Sequence, residues 1–339
     1  MWGKPPLTDP RGQTKMSKRL RDYNSALKYG AKIYPEDLAG MIGLPFVSNV
    51  FYVDPNSGND NNPGTSSNNQ KKAIGTATTG ALATATANQH DVIVINPTGG
   101  TGRTSESVAI DWNKRFTHLV GNAAPLVQDN RAGIGFATGG SLVISENGCL
   151  FKNLTMFSSA DIDETVSVTG DYNSFQGVDF KGTSHATSIG STPWRALNLD
   201  GAEENYFGGC AIGGDTYTRS AANTSLELEN AATRNVFEDC FFPIHTDDAA
   251  ATFVLADAAS DIDRFVWFKN CVFHNADKSA STTMTVAMTV HAAVGGSVIL
   301  DGCAVNGATD WANDYTAVMG CNMPDITAAN AGFMEQIAS

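Results

Sequence analysis

Long apolar runs are missing from this chain. The most apolar stretch, Met284 to Leu300, is broken by Thr, His, Ser and a Gly pair and is rich in β-branched residues. Nothing therefore reads as a membrane-spanning helix, and no membrane partner is expected. An apolar leader core is missing too. The chain starts Met1-Trp2-Gly3-Lys4-Pro5-Pro6, so the expectation is a product made in a cytoplasm without a secretory signal. Cysteine is sparse at six residues and never forms CxxC, which gives zinc no support, and a cytoplasmic setting disfavours disulfides. No Walker loop, dinucleotide fingerprint or GxSxG elbow occurs. No metal, cofactor or catalytic constellation is expected. Charge is scarce at 17% of residues, whereas Gly, Ala, Thr, Ser and Asn abound. That mixture suits many short strands and tight turns better than long helices.

What charge there is lies unevenly. Residues 1–45 hold eight basic side chains (Lys4, Arg11, Lys15, Lys18, Arg19, Arg21, Lys28, Lys32) against four acids, a segment of +4. The whole chain is −13, which leaves −17 for the remainder. A basic arm on an acidic body suits docking on an acidic protein surface, and the eight cations are the expected partner-binding residues. The acidic body argues against nucleic acid as a partner. Within the arm, Pro5, Pro6, Pro10 and Gly12 predict an extended start. Lys15 to Tyr29 is helix-compatible, and a second short helix is expected after Pro35, over Glu36 to Ile42. Neither has an apolar face broad enough for a domain of its own.

The fold is decided by a repeat. Six segments align: Cys149-Leu-Phe151-Lys-Asn-Leu154-Thr-Met156, Asn173-Ser-Phe175-Gln-Gly-Val178-Asp-Phe180, Asn205-Tyr-Phe207-Gly-Gly-Cys210-Ala-Ile212, Asn235-Val-Phe237-Glu-Asp-Cys240-Phe-Phe242, Val266-Trp-Phe268-Lys-Asn-Cys271-Val-Phe273 and Val298-Ile-Leu300-Asp-Gly-Cys303-Ala-Val305. The anchors 151, 175, 207, 237, 268 and 300 are 24, 32, 30, 31 and 32 residues apart. Each segment reads as strand, short turn, strand, with the interruption flipping the alternation so that both sides of the bend face inward. An alternating run precedes each, such as Val166-Ser-Val168, Leu197-Asn-Leu199 and Leu226-Glu-Leu228. Three short strands in about 30 residues make one turn of a solenoid, and only stacking buries its apolar side. The recurring cysteines then form an internal ladder of small hydrophobes. Fainter coils lie upstream at Asp91–Ile95, Phe116–Gly121 and Ser141–Ile144. The predicted architecture is an all-β, right-handed, single-stranded parallel β-helix over residues 50–310. It has an extended and helical N-terminal arm over 1–49 and a cap or subunit-contact tail over 311–339.

The stretch from Phe51 to Ile95 carries a resemblance. Tyr52-Val53-Asp54 leads into Gly58-Asn-Asp-Asn-Asn-Pro-Gly64-Thr65, then a helix-like stretch near Ala81, then Asp91-Val-Ile-Val94. This resembles the first coil of pectate-lyase-like β-helix proteins, many of which are bacteriophage virion proteins: tailspikes, fibres and head decoration proteins. The Ala/Thr run from Ala77 to Ala87 departs from the group's aromatic or Ile-rich capping helix.

The resemblance implies two functions. One is a non-enzymatic virion structural protein, a capsid decoration or cement protein. It would dock through its arm on the major capsid protein or another virion protein, and would assemble as a homo-oligomer such as a trimer. The other is a tailspike or tail fibre that binds and cleaves host polysaccharide, which needs paired carboxylates. Asp179, Asp239 and Asp301 fall near the same bend of different coils, with Arg234 and Arg264 elsewhere on the surface. His245-Thr-Asp247-Asp248 is the best local catalytic string, while Trp194, Trp267 and Trp311 are candidate sugar platforms. The Asp54-x-Asn56-x-Gly58-x-Asp60 loop resembles a calcium loop but lacks the EF-hand pattern, and Asx-turn chemistry accounts for it. The acids read as solvated turn residues, which favours the structural function.

Overall fold

The computed structural model describes residues 39–322 except 41, 45, 76–77, 278–283 and 315. Over that span the chain winds as a parallel β-helix. Ten strands stack in sequence order into one sheet: Val50–Val53, Val92–Ile95, His118–Gly121, Leu150–Ser158, Ser174–Thr183, Tyr206–Gly208, Asn235–Glu238, Phe265–Lys269, Ser297–Asp301 and Thr316–Met319. A second sheet of eight runs from Ala109–Asp111 to Ala308–Ala312. A third ladder carries the strand segments after each bend, among them Phe241–Thr246 and Val272–Asn275. Ladder pairing is parallel throughout, as a coil that only translates along its axis requires. Pairing continues past residue 310, because Thr316–Met319 bonds to Ser297–Asp301.

The sequence anchors fall into register. Phe151 pairs with Phe175, Phe175 with Phe207, Phe207 with Phe237, Phe237 with Phe268 and Phe268 with Leu300. Their rings stack at 5.1, 4.6, 4.5 and 4.8 Å between centroids along the four Phe–Phe steps. Removing one such ring costs about 3–5 kcal/mol. Three residues beyond the anchors, Cys210, Cys240, Cys271 and Cys303 form the expected ladder. Each thiol donates to a carbonyl of the preceding coil: Phe175, Phe207, Phe237 and Phe268, at 3.3–3.4 Å. Cys149 stands outside this ladder, two residues before its anchor. All six cysteines are free.

The bend between anchor and cysteine has a definite cause. Asn153, Gly177, Gly209, Asp239, Asn270, Gly302 and Gly320 occupy equivalent positions with φ between 52° and 64°. One left-handed residue per coil turns the chain and lets both flanking side chains face inward; Gly, Asn and Asp tolerate it best. At the preceding corner a buried asparagine ladder ties coil to coil. Asn205 Oδ1 accepts the Asn173 N–H at 2.8 Å, and Asn235 Oδ1 accepts the Asn205 N–H at 3.0 Å.

Near its start the solenoid is closed by a single helical turn, Ala81–Thr84, whose Ala81 and Leu82 are buried, where the sequence predicted a helix-like stretch. Ala39, Gly40 and Ile42 are helical, at the end of the second helix expected in the arm. Ala39, Ile42 and Val47 pack on Val50, Tyr52, Val92, Val94, Val120 and Leu150 outside the first sheet. The last residues of the arm thus cover apolar surface of the body. The eight basic arm residues lie outside the described residues.

Candidate functional site

The three acids singled out by spacing do not converge. Asp239 occupies the left-handed bend position with φ 55°, and Asp301 pairs in register with Lys269 one strand position earlier. Asp179 lies two residues past its own bend, beside Ala211. Its side chain is buried, accepting the Asp129 N–H at 2.7 Å and facing the Thr155 hydroxyl at 3.4 Å. Burial pushes its pKa up to about 6, against the pull of the Asp129 N–H and the Lys181 charge. Such a perturbed environment can mark a catalytic acid, but the position of Asp179 inside the wall ties it to structure.

Other candidates are likewise absorbed by the coils. In the His245-Thr-Asp247-Asp248 string, Thr246 is buried and donates to the Arg219 carbonyl at 3.0 Å, while Asp248 accepts the Ala250 N–H at 2.8 Å. The first bond ties one coil to the next and the second closes a local turn, while His245 faces the Thr218 hydroxyl at 3.4 Å. Asp54 behaves as Asx chemistry predicts. Its carboxylate takes the Ser57 and Thr98 hydroxyls and the Asn56 N–H at 2.9 Å. Burial would raise its pKa, and these bonds outweigh that and hold it low. Gly58 is required there, since a Cβ would stand 2.0 Å from the Lys71 carbonyl oxygen. Arg234 pairs with Glu203 and Glu204, and Arg264 with Asp263. Trp194 is 1% exposed and Trp311 is 7%, which removes both as sugar platforms; Trp267 is half-buried.

The densest set of titratable groups lies on the outer face of the second sheet, on Glu164–Val168, Arg195–Asp200 and Thr224–Glu229. Three consecutive coils bring Glu164, Arg195, Asn198, Glu227 and Glu229 together. The Arg195 Nε lies 2.6 Å from a Glu227 oxygen and 3.1 Å from Glu164, with Glu229 3.9 Å from the guanidinium. Asn198 donates to Glu164 at 3.2 Å and to Glu229 at 2.7 Å. One cation shared among three carboxylates leaves a proton demand. Burial pushes Glu227 up to about 7; Arg195 pulls it down, while Glu229, Asp257 and Glu164 push it further up. The arrangement can present Glu227 as a protonated carboxylic acid near neutral pH, with two further carboxyl groups and a guanidinium beside it, the form a general acid needs. These residues were missed although their strands were read. The alternation Leu197-Asn-Leu199 and Leu226-Glu-Leu228 marks Asn198 and Glu227 as outward, and stacking adjacent strands would have juxtaposed them.

No family model matches the chain, and no curated protein matches it. Among solved structures it is similar to pectate lyase Pel9A, at 14% identity and a TM-score of 0.49, over 77% of this chain and 64% of that one. It is also similar to ORF18 of Geobacillus virus E2, at 13% identity and a TM-score of 0.37, over 70% of this chain and 47% of that one. The chain thus spans less than two thirds of either. The parallel β-helix itself rests on the strand ladders, which run unbroken from Val50 to Met319.

Proposed function

We propose that the chain is a non-enzymatic structural protein of a bacteriophage particle, a capsid decoration or cement protein. It docks on the major capsid protein or another virion protein through the basic arm, residues 1–49, and assembles as a homo-oligomer. The observation that carries this reading is the split between a +4 segment over 1–45 and a −17 remainder, on a body whose carboxylates mostly serve its own coil-to-coil bonds. The resemblance of residues 51–95 to virion β-helices supports it. Gold-conjugated serum against residues 50–310, applied to intact particles, should label the head. Label confined to the tail tip overturns the head placement, and particles without label overturn a virion role.

One observation favours a second reading, a tailspike that binds and cleaves an acidic or neutral host glycan. Glu227, itself buried, sits beside Glu164 and Glu229 on the outer side of the second sheet with its pKa near 7. Depolymerisation of host surface polysaccharide by the purified chain, abolished in Glu227→Gln, would establish it. Absence of any cleavage leaves the structural reading alone.

A further inference from the structure

The outer face of the first sheet carries an apolar column that the arm covers at one end only. Stacking puts outward side chains of successive coils in line: Tyr206 pairs with Val236, Val236 with Trp267, Trp267 with Ile299 and Ile299 with Ala317. The strand neighbours Phe207, Phe237, Phe268 and Leu300 are fully buried, so alternation points this column away from the core. Tyr206 is 37% exposed, Val236, Trp267 and Ile299 are half-buried, and Ala317 is exposed. The same column runs back through Ser174, Leu150 and His118 to Val92 and Val50. Ala39, Ile42 and Val47 pack on Val50, Val92 and Leu150, and that cluster stops short of Tyr206.

Single apolar residues on a surface need no explanation, whereas a continuous strip marks an interaction face. Charge decides what can meet it. Residues 46–339 carry −17, so two copies repel over most of their surface. The column beside the strip lacks that excess. Lys152, Gln176, Gly208, Glu238, Lys269 and Asp301 stand in register and sum to zero. At Gly208 the Tyr206 ring fills the column, since a Cβ there would stand 2.7 Å from it, and the Tyr206 hydroxyl donates to Glu238 at 3.0 Å. The basic arm gains no attraction from a face without net negative charge, whereas a second acidic body can approach here without the repulsion it meets elsewhere.

The signs also fix the orientation. Arg234 and Glu238 lie two residues to either side of Val236, opposite in charge and both partly exposed. A copy related by an axis along the solenoid lays each strand against its own equivalent running the other way, so Arg234 of one copy meets Glu238 of the other. A copy turned end over end and overlapping the whole strip centres on Trp267. It sets Lys269 against Lys269 and Glu238 against Asp301, like charge on like. We infer that this strip is the contact between side-by-side, parallel copies of the chain, with Tyr206, Val236, Trp267, Ile299 and Ala317 of one against the same residues of the next. The inference rests on the homo-oligomer proposed above, names its face, and places every arm at the same end of the assembly.

The test is light scattering on the purified full chain, with no particle present. A mass of two or three chains is expected, since a two-fold or three-fold axis along the solenoid brings the same flanks together. A mass of one chain overturns the inference and leaves the gold labelling to judge the virion role separately. Ile299→Lys, outside the core, should weaken association about tenfold or more with its circular dichroism unchanged; unaltered association overturns the face. Orientation is read in Ala317→Cys, made together with Cys321→Ser to remove the half-buried native thiol. A short bismaleimide should link Ala317→Cys chains to one another. In the end-over-end pair these positions stand four coils apart, about 19 Å, beyond its reach. An oligomer that resists linking overturns the parallel contact, and this readout stands even if Ile299→Lys does not fold.

Discussion

Asp239 shows how a residue that looks catalytic in sequence is conformational in the fold. Its φ of 55° is shared with Gly209 and Gly302 at the same bend, and the equivalent Cβ at Gly209 would meet nothing within 4 Å. The demand there is on the backbone alone. Asp239→Gly should be neutral or slightly stabilising in urea unfolding, whereas Asp239→Val should lose about 1–2 kcal/mol. Loss of a functional readout in the glycine variant with stability intact would reinstate Asp239 as a chemical group. The thiols make a second case. Burial pushes Cys149 up to about 11 and raises the pKa of Cys240 as well, and the thiolate is the reactive form. At pH 8 the native chain should label first at the half-buried Cys321, with the other five reacting only on unfolding; prompt labelling of Cys210, Cys240 or Cys271 would contradict the ladder.

At the scale of the element, legibility followed from what repeats. The Phe anchors and the cysteines recur at a near-constant interval, and a stacked coil converts interval into register, so both ladders were visible. The left-handed bend was only half visible, because Gly, Asn and Asp satisfy it interchangeably and no one letter recurs. The Arg195 cluster was hidden for another reason: its members come from neighbouring strands at different offsets, so no spacing within one strand announces it. The burial of Arg219 left no trace, since Tyr217-Thr-Arg219-Ser reads as an exposed polar run and that burial is a tertiary effect.

Two elements carry opposite pH signatures. Glu227 holds its proton more tightly when folded, with a pKa near 7 against an ordinary 4.5. Its contribution is therefore full below pH 4.5 and lost as pH rises through 7. Glu227→Gln should unfold at higher urea than the unaltered chain at pH 8 and match it near pH 4. His118 runs the other way. Burial first, then the neighbouring His90, lower it to about 4, and its Nδ1 accepts the Leu150 N–H at 3.0 Å. Its contribution is full above about pH 6.5 and is lost as pH falls toward 4.

For the whole molecule, each coil contacts mainly the coil on either side, so stability is close to a sum over neighbouring interfaces. Because Phe237 and Glu238 stand in register with Phe268 and Lys269, deleting residues 238–268 joins like to like. The shortened chain should keep its far-ultraviolet circular dichroism and lose about 5 Å of length by small-angle scattering. Deleting 238–253 instead breaks the register and should abolish folding; equal tolerance of both deletions would deny that the coil is the unit.

The ladder bonds all point along the long axis, with the strands lying across it. A pull applied at the two ends therefore meets these bonds end-on, one coil at a time, rather than sliding strands past one another. Each coil that lets go frees some 30 residues, about 100 Å of slack, before the next takes the load. Such a molecule yields in steps under tension yet bears compression and sideways load along its full length, a mechanical asymmetry written into the parallel register.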